Sequence, residues 1–320
     1  MPYDTYRFPL IAKFTAFARF GAVRYHGALA MIRRFKRIVG GLTVALLVVV
    51  SGASAYEPFL QTPRWRTLDD LTELPNLYVN DIVSTIGGEM WIATDRSIGT
   101  HDGTVYVSRD VDFLPQDVRY NTLLYDVLGT IWAGTSSGLV RYVGHQWRLM
   151  LDSGDVTAIT ESVDGTVWIG VSGEFDAGAI QSGIEPGIYR YQSGAWTRYG
   201  ASDGLPTGRV QCLYGDADGG VWAVYGTETR MDALFRFDGA RWRDMVRVLN
   251  PPSGAILAVS QTRDGAYWFG TYGRGVWRWD GRAWETFPDE ADLSTFTAAS
   301  LLPMPDGTLW AAGAPAGTLW

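Results

Sequence analysis

After residue 55 the chain contains no lysine and a single cysteine, and its histidines are limited to His101 and His145. One cysteine, Cys212, cannot form an internal disulfide, and without a Cys/His cluster the sequence offers no metal site. Residues 56–320 hold 19 basic and 33 acidic side chains, a formal charge of −14. Such an acidic surface repels phosphate backbones, which argues against nucleic acid as a partner. We expect neither a metal nor any other cofactor.

Long apolar runs are also scarce, and the one of interest lies in the first 55 residues. Residues 31–37 are basic, residues 38–50 are apolar, and Ala53-Ser54-Ala55 is a small-x-small site. This layout predicts that residues 1–55 are a leader with a signal peptide, cleaved between Ala55 and Tyr56. The apolar stretch is shorter than the ~20 residues of a membrane-spanning helix, although an uncleaved membrane anchor remains an alternative. Either outcome predicts a periplasmic or other extracytoplasmic location for residues 56–320.

A tryptophan that follows a tight turn recurs through this exported part. DGTVWIG at 164–170 returns as GGEMWIA at 87–93, GTIWAG at 129–134, DGGVWAV at 218–224, DGAYWFG at 264–270 and DGTLWAA at 306–312. Two β-rich runs around Asp-Gly predict a hairpin, because that turn needs a positive φ. A second hairpin follows in each unit, as in GIYRYQSGAW at 187–196. Four short antiparallel strands per repeat predict an all-β fold, a β-propeller of four-stranded blades over residues 56–320.

The repeated residues have a structural interpretation and a functional one. Large aromatic rings can fill the gaps between blades or form a sugar-stacking surface, and we expect the former. An aspartate before glycine at a turn is ordinary turn chemistry, and we expect this rather than calcium binding.

The unit VTAITESVDGTVWIGV…GIYRYQSGAWTRYGASDGLP at 156–206 resembles the two-component regulator propeller repeat, which occurs in periplasmic sensor regions of bacterial receptors. The resemblance extends from about Trp65 to the end of the chain. Two units depart from the pattern: the first has Gly87-Gly88 at its turn and Gly99-Thr100-His101 in place of an aromatic-Arg pair, and the second has Leu128-Gly129. The resemblance implies a non-catalytic, ligand-binding sensor whose membrane-coupled signalling output lies in the same longer chain or in a partner protein.

The number of blades depends on how the ring closes. Trp65 aligns with Trp196 of a fourth strand, and the segments SLLPMP, GTLWAAG and GTLW at the other end suggest three strands. Pairing these termini would complete a six-bladed ring and remove an open sheet edge. The alternative is a fragment of a longer protein, truncated at its C-terminus and with seven blades.

A ligand site is predicted where the repeats carry insertions. The third and fourth units have the longest segments between the repeated tryptophan and the third strand, SGEFDAGAIQSGIEPG and YGTETRMDA. Both fall on the face that carries the blade-to-blade connections, and loops on a rigid frame often carry function. The predicted site consists of Glu174, Phe175, Asp176, Glu228 and Arg230, with Tyr272 and Arg274 from the next blade. Carboxylates, an aromatic ring and arginines suit a polar organic ligand such as an oligosaccharide. The alternative is that the insertions are surface loops without function.

No catalytic residue is predicted, and we do not expect an enzyme. His101 and His145 lie near turns on the opposite face, and neither has an evident acid or base partner. An enzyme of the streptogramin-lyase type is an alternative that rests on fold analogy. A secreted protein-interaction scaffold is a third possibility.

Overall fold

The computed structural model describes residues 79–102, 105–152, 154–172, 184–226, 233–252, 254–287, 296–304 and 309–315, together with the backbone of three short strands further upstream. The upstream strands are β1 (Phe35–Lys36), β2 (Ala45–Leu46) and β3 (Arg66–Thr67). The predicted leader boundary at 55/56 lies outside the described residues and stays a prediction.

Six antiparallel sheets follow: the first has four strands of its own with β1 added at its edge, the next four have four strands each, and the last has two described strands. The first two sheets are β4 (Val79–Ser84), β5 (Met90–Thr94), β6 (Ile98–His101), β7 (Tyr106–Ser108) and β8 (Tyr120–Tyr125), β9 (Ile131–Thr135), β10 (Gly138–Val143), β11 (Gln146–Leu151). The third and fourth are β12 (Asp155–Glu161), β13 (Val167–Ser172), β14 (Gly187–Gln192), β15 (Ala195–Tyr199) and β16 (Arg209–Gly215), β17 (Val221–Gly226), β18 (Ala233–Phe237), β19 (Trp242–Asp244). The last two are β20 (Ile256–Gln261), β21 (Tyr267–Thr271), β22 (Val276–Trp279), β23 (Trp284–Thr286) and β24 (Phe296–Pro303), β25 (Leu309–Pro315).

The first strands of the six sheets follow one another around a common axis, in the order β4, β8, β12, β16, β20 and β24. Each sheet runs outward from its first strand to its fourth, so the sheets are the blades of a propeller and confirm the predicted fold. We call the face where the first strands begin the upper face. The lower face carries the turns between first and second strands and between third and fourth strands.

The repeated turns have the predicted conformation. Gly88, Gly129, Gly165, Gly219 and Gly265 have φ values between 79° and 85°, a left-handed conformation that glycine adopts readily. At the turn of the third blade, the Asp164 Oδ1 accepts hydrogen bonds from the Ser162 hydroxyl and the Thr166 amide. These bonds confirm the interpretation of this aspartate as a turn residue.

The repeated tryptophans lie in the core between blades. Trp91, Trp132, Trp168 and Trp222 are at most 3% exposed, which confirms the structural interpretation of these four rings. An arginine from the third strand lies over each ring in four blades, with guanidinium-to-centroid distances of 4.8 Å for Arg141 on Trp132, 5.4 Å for Arg190 on Trp168, 5.7 Å for Arg236 on Trp222 and 5.9 Å for Arg278 on Trp268. Such cation–π contacts are most favourable when partly desolvated. In the first blade, Thr100 stands opposite Trp91 instead.

A glycine two residues after the repeated tryptophan lets neighbouring blades approach. Gly134, Gly170 and Gly270 lie in second strands, directly against the first strand of the next blade. A Cβ on Gly170 would overlap the side chain of Val210, and one on Gly134 would lie 2.7 Å from Val156 Cγ1. In these three blades the glycine therefore allows the close approach of the next blade, whereas the first and fourth blades have Ala93 and Val224 at this position.

The start of the ring differs from the sequence prediction, whereas β24 and β25 agree with two of the three predicted C-terminal strands and the third lies outside the described residues. The segment that begins at Trp65 was expected to complete the last blade, but its strand β3 pairs with β2 of the leader. A partner about 20 residues upstream is favoured because the entropic cost of loop closure grows with loop length. Strand β1 pairs with the inner edge of β4 and lies beside β24, where the sixth blade meets the first. The fourth blade ends in an unexpected helix, α1 (Met245–Leu249), capped by the carboxylate of Asp244, which accepts from two backbone amides.

We predict that Gly170→Ala destabilises the protein by about 1–3 kcal/mol, because the added methyl group overpacks the contact with Val210. The matched control is Gly87→Ala, whose Cβ would meet only the Thr85 hydroxyl, at 3.8 Å. Urea unfolding followed by tryptophan fluorescence measures both variants. Equal stability of Gly170→Ala and wild type would contradict the proposed role of the glycine.

Candidate functional site

A central channel of about 960 Å³ runs along the propeller axis. Its wall is built from the six first strands, which pair with second strands on their outer side. The inner edge of β4 is paired with β1. The inner edges of the other first strands present backbone N–H and C=O groups that need water or a ligand as partners. The fold therefore supplies a preformed cavity at its centre, with polar groups set in a largely apolar wall.

Each first strand contains a β-bulge near its upper end. The extra residues are Asn80, Asn121, Thr157, Gln211, Leu257 and Ala299. A bulge leaves one residue out of the ladder and re-aims its side chain.

In the first three blades the bulge side chain binds the next blade. Asn80 Nδ2 donates to the Tyr120 carbonyl at 3.0 Å, and Asn121 Nδ2 donates to the Val156 carbonyl at 3.1 Å. The Thr157 hydroxyl donates to the Val210 carbonyl at 2.7 Å. These three bonds link four consecutive blades around one side of the channel.

The other half of the ring lacks this bridge within the described residues. Leu257 and Ala299 have no polar side-chain atom, and no hydrogen bond to the described part of the next blade is made by the Gln211 amide. All three residues line the channel. The side-chain amide of Gln211 is consequently available to form hydrogen bonds in the channel rather than between blades.

The upper mouth of the channel collects further polar groups on this side. Arg209, Tyr272 and Thr297 line the cavity together with Gln211. Tyr272 is 38% exposed, and its backbone amide donates to the Ala255 carbonyl at 2.9 Å. The Thr297 hydroxyl accepts a hydrogen bond of 3.0 Å from the amide of Gly273, the residue after Tyr272. The turn that carries Tyr272 is thereby tied to the sixth blade.

The structure locates two of the seven predicted site residues. Tyr272 reaches the upper mouth, whereas Arg274 is exposed in the same turn and does not line the channel. The other five, Glu174, Phe175, Asp176, Glu228 and Arg230, lie outside the described residues and stay predictions. Sequence reasoning missed Arg209, Gln211 and Thr297. Alignment of the first strands across the repeats could have found them, because these residues occupy corresponding positions at or beside the bulge.

The histidines lie away from this mouth. His101 is 1% exposed at the lower end of β6, and His145 is in the turn after β10, with a φ of 63°. His145 lines a smaller cavity of about 410 Å³ at the rim between the first two blades, with Arg109, Tyr142 and Trp147 among its other walls. Both positions agree with the predicted placement near turns of the lower face.

The carboxylates with shifted pKa values form hydrogen bonds that stabilise the turns and the packed rings. Asp216 is 1% exposed, and its Oδ2 accepts from Trp222 Nε1 at 2.9 Å, from Arg236 Nε at 2.7 Å and from the Tyr267 hydroxyl at 3.0 Å. Burial by itself would raise the pKa of Asp216, but the hydrogen bonds and the charge of Arg236 outweigh it and lower that pKa. The pKa of Asp264 is also lowered, chiefly by the hydrogen bond from Thr262. These groups are ionised and engaged in holding turns and rings.

The described residues contain no group of three or more His, Cys, Asp or Glu side chains arranged to hold a metal ion. In the same part of the chain, no helix has the length and apolar character needed to cross a membrane.

Comparison with solved structures places the chain among the β-propellers. The extracellular domain described as a hybrid two-component system of B. thetaiotaomicron is 15% identical, with a TM-score of 0.59 over 76% of this chain and 33% of that chain. YCF48, solved with a bound D1 peptide, is 16% identical, with a TM-score of 0.56 over 80% of both chains. Virginiamycin B lyase from Staphylococcus aureus is 14% identical, with a TM-score of 0.50 over 74% of this chain and 84% of that chain.

No family model and no curated protein matches the sequence. The chain spans about a third of the two-component domain that it resembles. At these identities the comparisons establish the fold, which occurs in extracellular sensor domains and in a lyase alike, and they leave function to the site.

We predict that Asp216→Asn destabilises the protein by about 3 kcal/mol, because it leaves the Arg236 guanidinium without its buried counter-charge. The matched control is Asp218→Asn, whose side chain is 72% exposed and 3.9 Å from Arg236. Such an exposed pair contributes about 0–1 kcal/mol. Chemical unfolding of both variants at neutral pH distinguishes the two carboxylates.

The stability difference between wild type and Asp216→Asn should depend on pH. A lowered pKa in the folded state stabilises the protein above the unfolded value of about 3.9, and this contribution is lost as the pH falls through the folded value. The difference should therefore be largest above about pH 4 and shrink in acid. A difference that grows with acidity would contradict this sign.

Proposed function

We propose that this chain is an exported, non-catalytic sensor propeller that binds a polar organic ligand, such as an oligosaccharide, at the upper mouth of its channel. The observation that carries the proposal is the preformed channel, whose upper mouth presents Arg209, Gln211 and Tyr272. In the described part of the chain, Arg209 has no acidic partner within ion-pair distance. The mouth therefore offers side-chain donors that are not consumed by the scaffold.

The chemistry of the mouth suits a hydroxyl-rich or carboxylate-bearing molecule. A guanidinium donates in a fork geometry that matches paired oxygens. An amide both donates and accepts, and an exposed phenol ring offers an apolar face with a polar tip. The volume falls within the range of roughly 300–1,000 Å³ that small-molecule sites occupy. The insertions of the third and fourth units would extend the same side of the mouth.

A sensor role is supported by the motif resemblance and by the likeness to an extracellular two-component domain. A propeller that only binds needs an output, and we propose that a membrane-coupled signalling module supplies it, in the same longer chain or in a partner. The blade-to-blade links around the channel make the fold a rigid receptor suited to this division of tasks.

The non-catalytic part of the proposal is supported by the ionisable groups. The aspartates with lowered pKa values in the described residues hold turns and rings rather than face the upper mouth; they are Asp164, Asp216, Asp238, Asp264 and Asp280. A general acid or base needs a pKa near the working pH. We accordingly propose binding without turnover at this mouth.

The double variant Arg209→Ala/Gln211→Ala tests the proposal. A panel of neutral and acidic oligosaccharides is screened against wild type by thermal shift, and hits are titrated calorimetrically. We expect the double variant to bind any hit at least about tenfold more weakly, since each lost hydrogen bond to a charged group is worth about 1.5–3 kcal/mol.

The matched control is Arg241→Ala, which removes an exposed arginine from the lower face. It should bind like wild type, and mass spectrometry should recover each hit unchanged after incubation. Equal binding by the double variant would reject the upper mouth as the site, and a cleaved or rearranged product would reject the non-catalytic assignment.

A further inference from the structure

The turns between first and second strands form the rim of the lower channel mouth. The second residue of this turn differs between blades. In the first five blades it is Ile86, Val127, Val163, Ala217 and Arg263. The first three are aliphatic and 64%, 73% and 67% exposed. Leu128, next to Val127, is 81% exposed. We call Ile86, Val127, Leu128 and Val163 the apolar arc.

The apolar arc spans three consecutive blades. Ile86 and Val127 line the lower end of the channel together with Met304. The Val127 amide donates to Glu161 Oε2 of the third blade at 3.0 Å. Val163 in turn lies beside Gly219, in the corresponding turn of the fourth blade. The four side chains therefore lie on consecutive turns of one rim, with the Glu161 carboxylate beside Val127.

The turns that carry the apolar arc are fixed before any partner arrives. Backbone hydrogen bonds close them, from Gly88 to Thr85 at 3.0 Å, from Gly129 to Asp126 at 3.0 Å and from Gly165 to Ser162 at 2.9 Å. A preorganised surface loses little conformational entropy on binding. Clustered exposed aliphatic side chains on such a surface mark an interaction site.

The charges in the turns around the apolar arc are acidic, although two arginines from adjoining third strands reach these turns. Arg141 donates to the Thr130 hydroxyl, and Arg190 lies close enough to Asp164 to lower its pKa. The lower-face turns of the first three blades, at 85–89, 102–105, 126–130, 144–146, 162–166 and 192–194, contain Glu89, Asp102, Asp126 and Asp164 and no lysine or arginine. The corresponding turns of the fourth and fifth blades combine both signs, with Arg241, Arg263 and Arg282 beside Asp216, Asp218, Asp238, Asp264 and Asp280. The apolar arc therefore lies in the acidic half of the lower face.

We propose that the apolar arc is a docking surface for a protein segment in which aliphatic or aromatic residues are flanked by lysine or arginine. The apolar side chains would cover the arc, and the basic ones would meet the surrounding carboxylates, which steers association and selects the partner. A second copy of the exported part fits less well, because it brings a formal charge of −14 and no lysine. The surface lies on the face opposite Tyr272, so it does not depend on the proposed ligand site.

The structure contains one pairing of this chemical type. Strand β1 comes from the basic segment 31–37 and pairs with the inner edge of β4, with Phe35 opposite Ile82 and Lys36 opposite Asp81. Two residues of this segment, one apolar and one basic, are thus paired with the backbone of the first blade. The proposal places the partner segment on the rim of the same blade and its two neighbours.

The test uses the full chain and a fluorescent synthetic peptide that carries three leucines between pairs of lysines. Fluorescence anisotropy at low salt should show saturable binding to wild type. Val127→Ser/Leu128→Ser should bind at least tenfold more weakly. The matched control is Val248→Ser, which makes an equivalent change at a residue 62% exposed on α1, and it should bind like wild type.

Further arms separate the alternatives. Replacing the peptide's lysines by glutamate, or its leucines by serine, should abolish binding, and Glu89→Gln/Asp164→Asn should weaken it and reduce its salt dependence. Circular dichroism and thermal unfolding confirm that each variant is folded. Equal affinity of Val127→Ser/Leu128→Ser and wild type, or tight binding of the glutamate peptide, would overturn the proposal. Dimerisation of wild type that Leu128→Ser removes would assign the apolar arc to a second copy instead.

Discussion

The close approach of each blade to the next is the contact on which the rest of the structure depends. A four-stranded sheet is apolar on both faces, so it is stable only when neighbours cover them. Gly134, Gly170 and Gly270 remove side chains at the point of nearest approach, and the repeated tryptophans fill the wider gap beside them. A short strand, a tight turn and a ring recur because each blade must solve the same packing problem.

The repeat also solves a hydrogen-bonding problem, in two interchangeable ways. The indole N–H of Trp168 donates to Ser162, and that of Trp268 donates to Thr262. Trp132 and Trp222 donate instead to Asp126 and Asp216. In every case the acceptor lies six residues before the tryptophan. A buried indole without an acceptor would be costly, so this position is polar in these four units. In the first unit Trp91 donates to Glu89 instead.

The use of a carboxylate in place of a hydroxyl at this position also explains why the irregular second repeat folds like the others. The second unit has Leu128 where the third has Asp164, and it was recognised from sequence as a departure from the pattern. In the structure the carboxylate moves two positions upstream, where Asp126 Oδ1 accepts from the amides of Leu128 and Thr130. The turn keeps its bonds, and Leu128 is left at the surface as part of the apolar arc.

The sequence could predict what repeats and could not predict what breaks the repetition. Period and turn chemistry specify strands, hairpins and the burial of Trp132 and Trp222, since each unit repeats the same local signal. A bulge adds one residue to a strand without a sequence mark of its own, so Asn121 and Gln211 look like ordinary strand residues. Their roles depend on the neighbouring blade, which is a tertiary fact. Pairing of β3 with β2 rather than with the last blade is likewise a choice between distant partners.

These irregularities give the two faces their different chemistry. The bulge side chains of Asn121 and Thr157 donate hydrogen bonds to the next blade. Gln211 and the nearby Arg209 line the channel instead. On the lower face, the turn aspartate of the second blade, Asp126, is buried. Its turn therefore exposes Val127 and Leu128 instead of a carboxylate. First strands such as β12 run from one face to the other, so a ligand above and a partner below would contact the ends of the same elements. Coupling between the two would require the ligand to favour one arrangement of those strands, because binding shifts an equilibrium only by its difference in affinity for the two states.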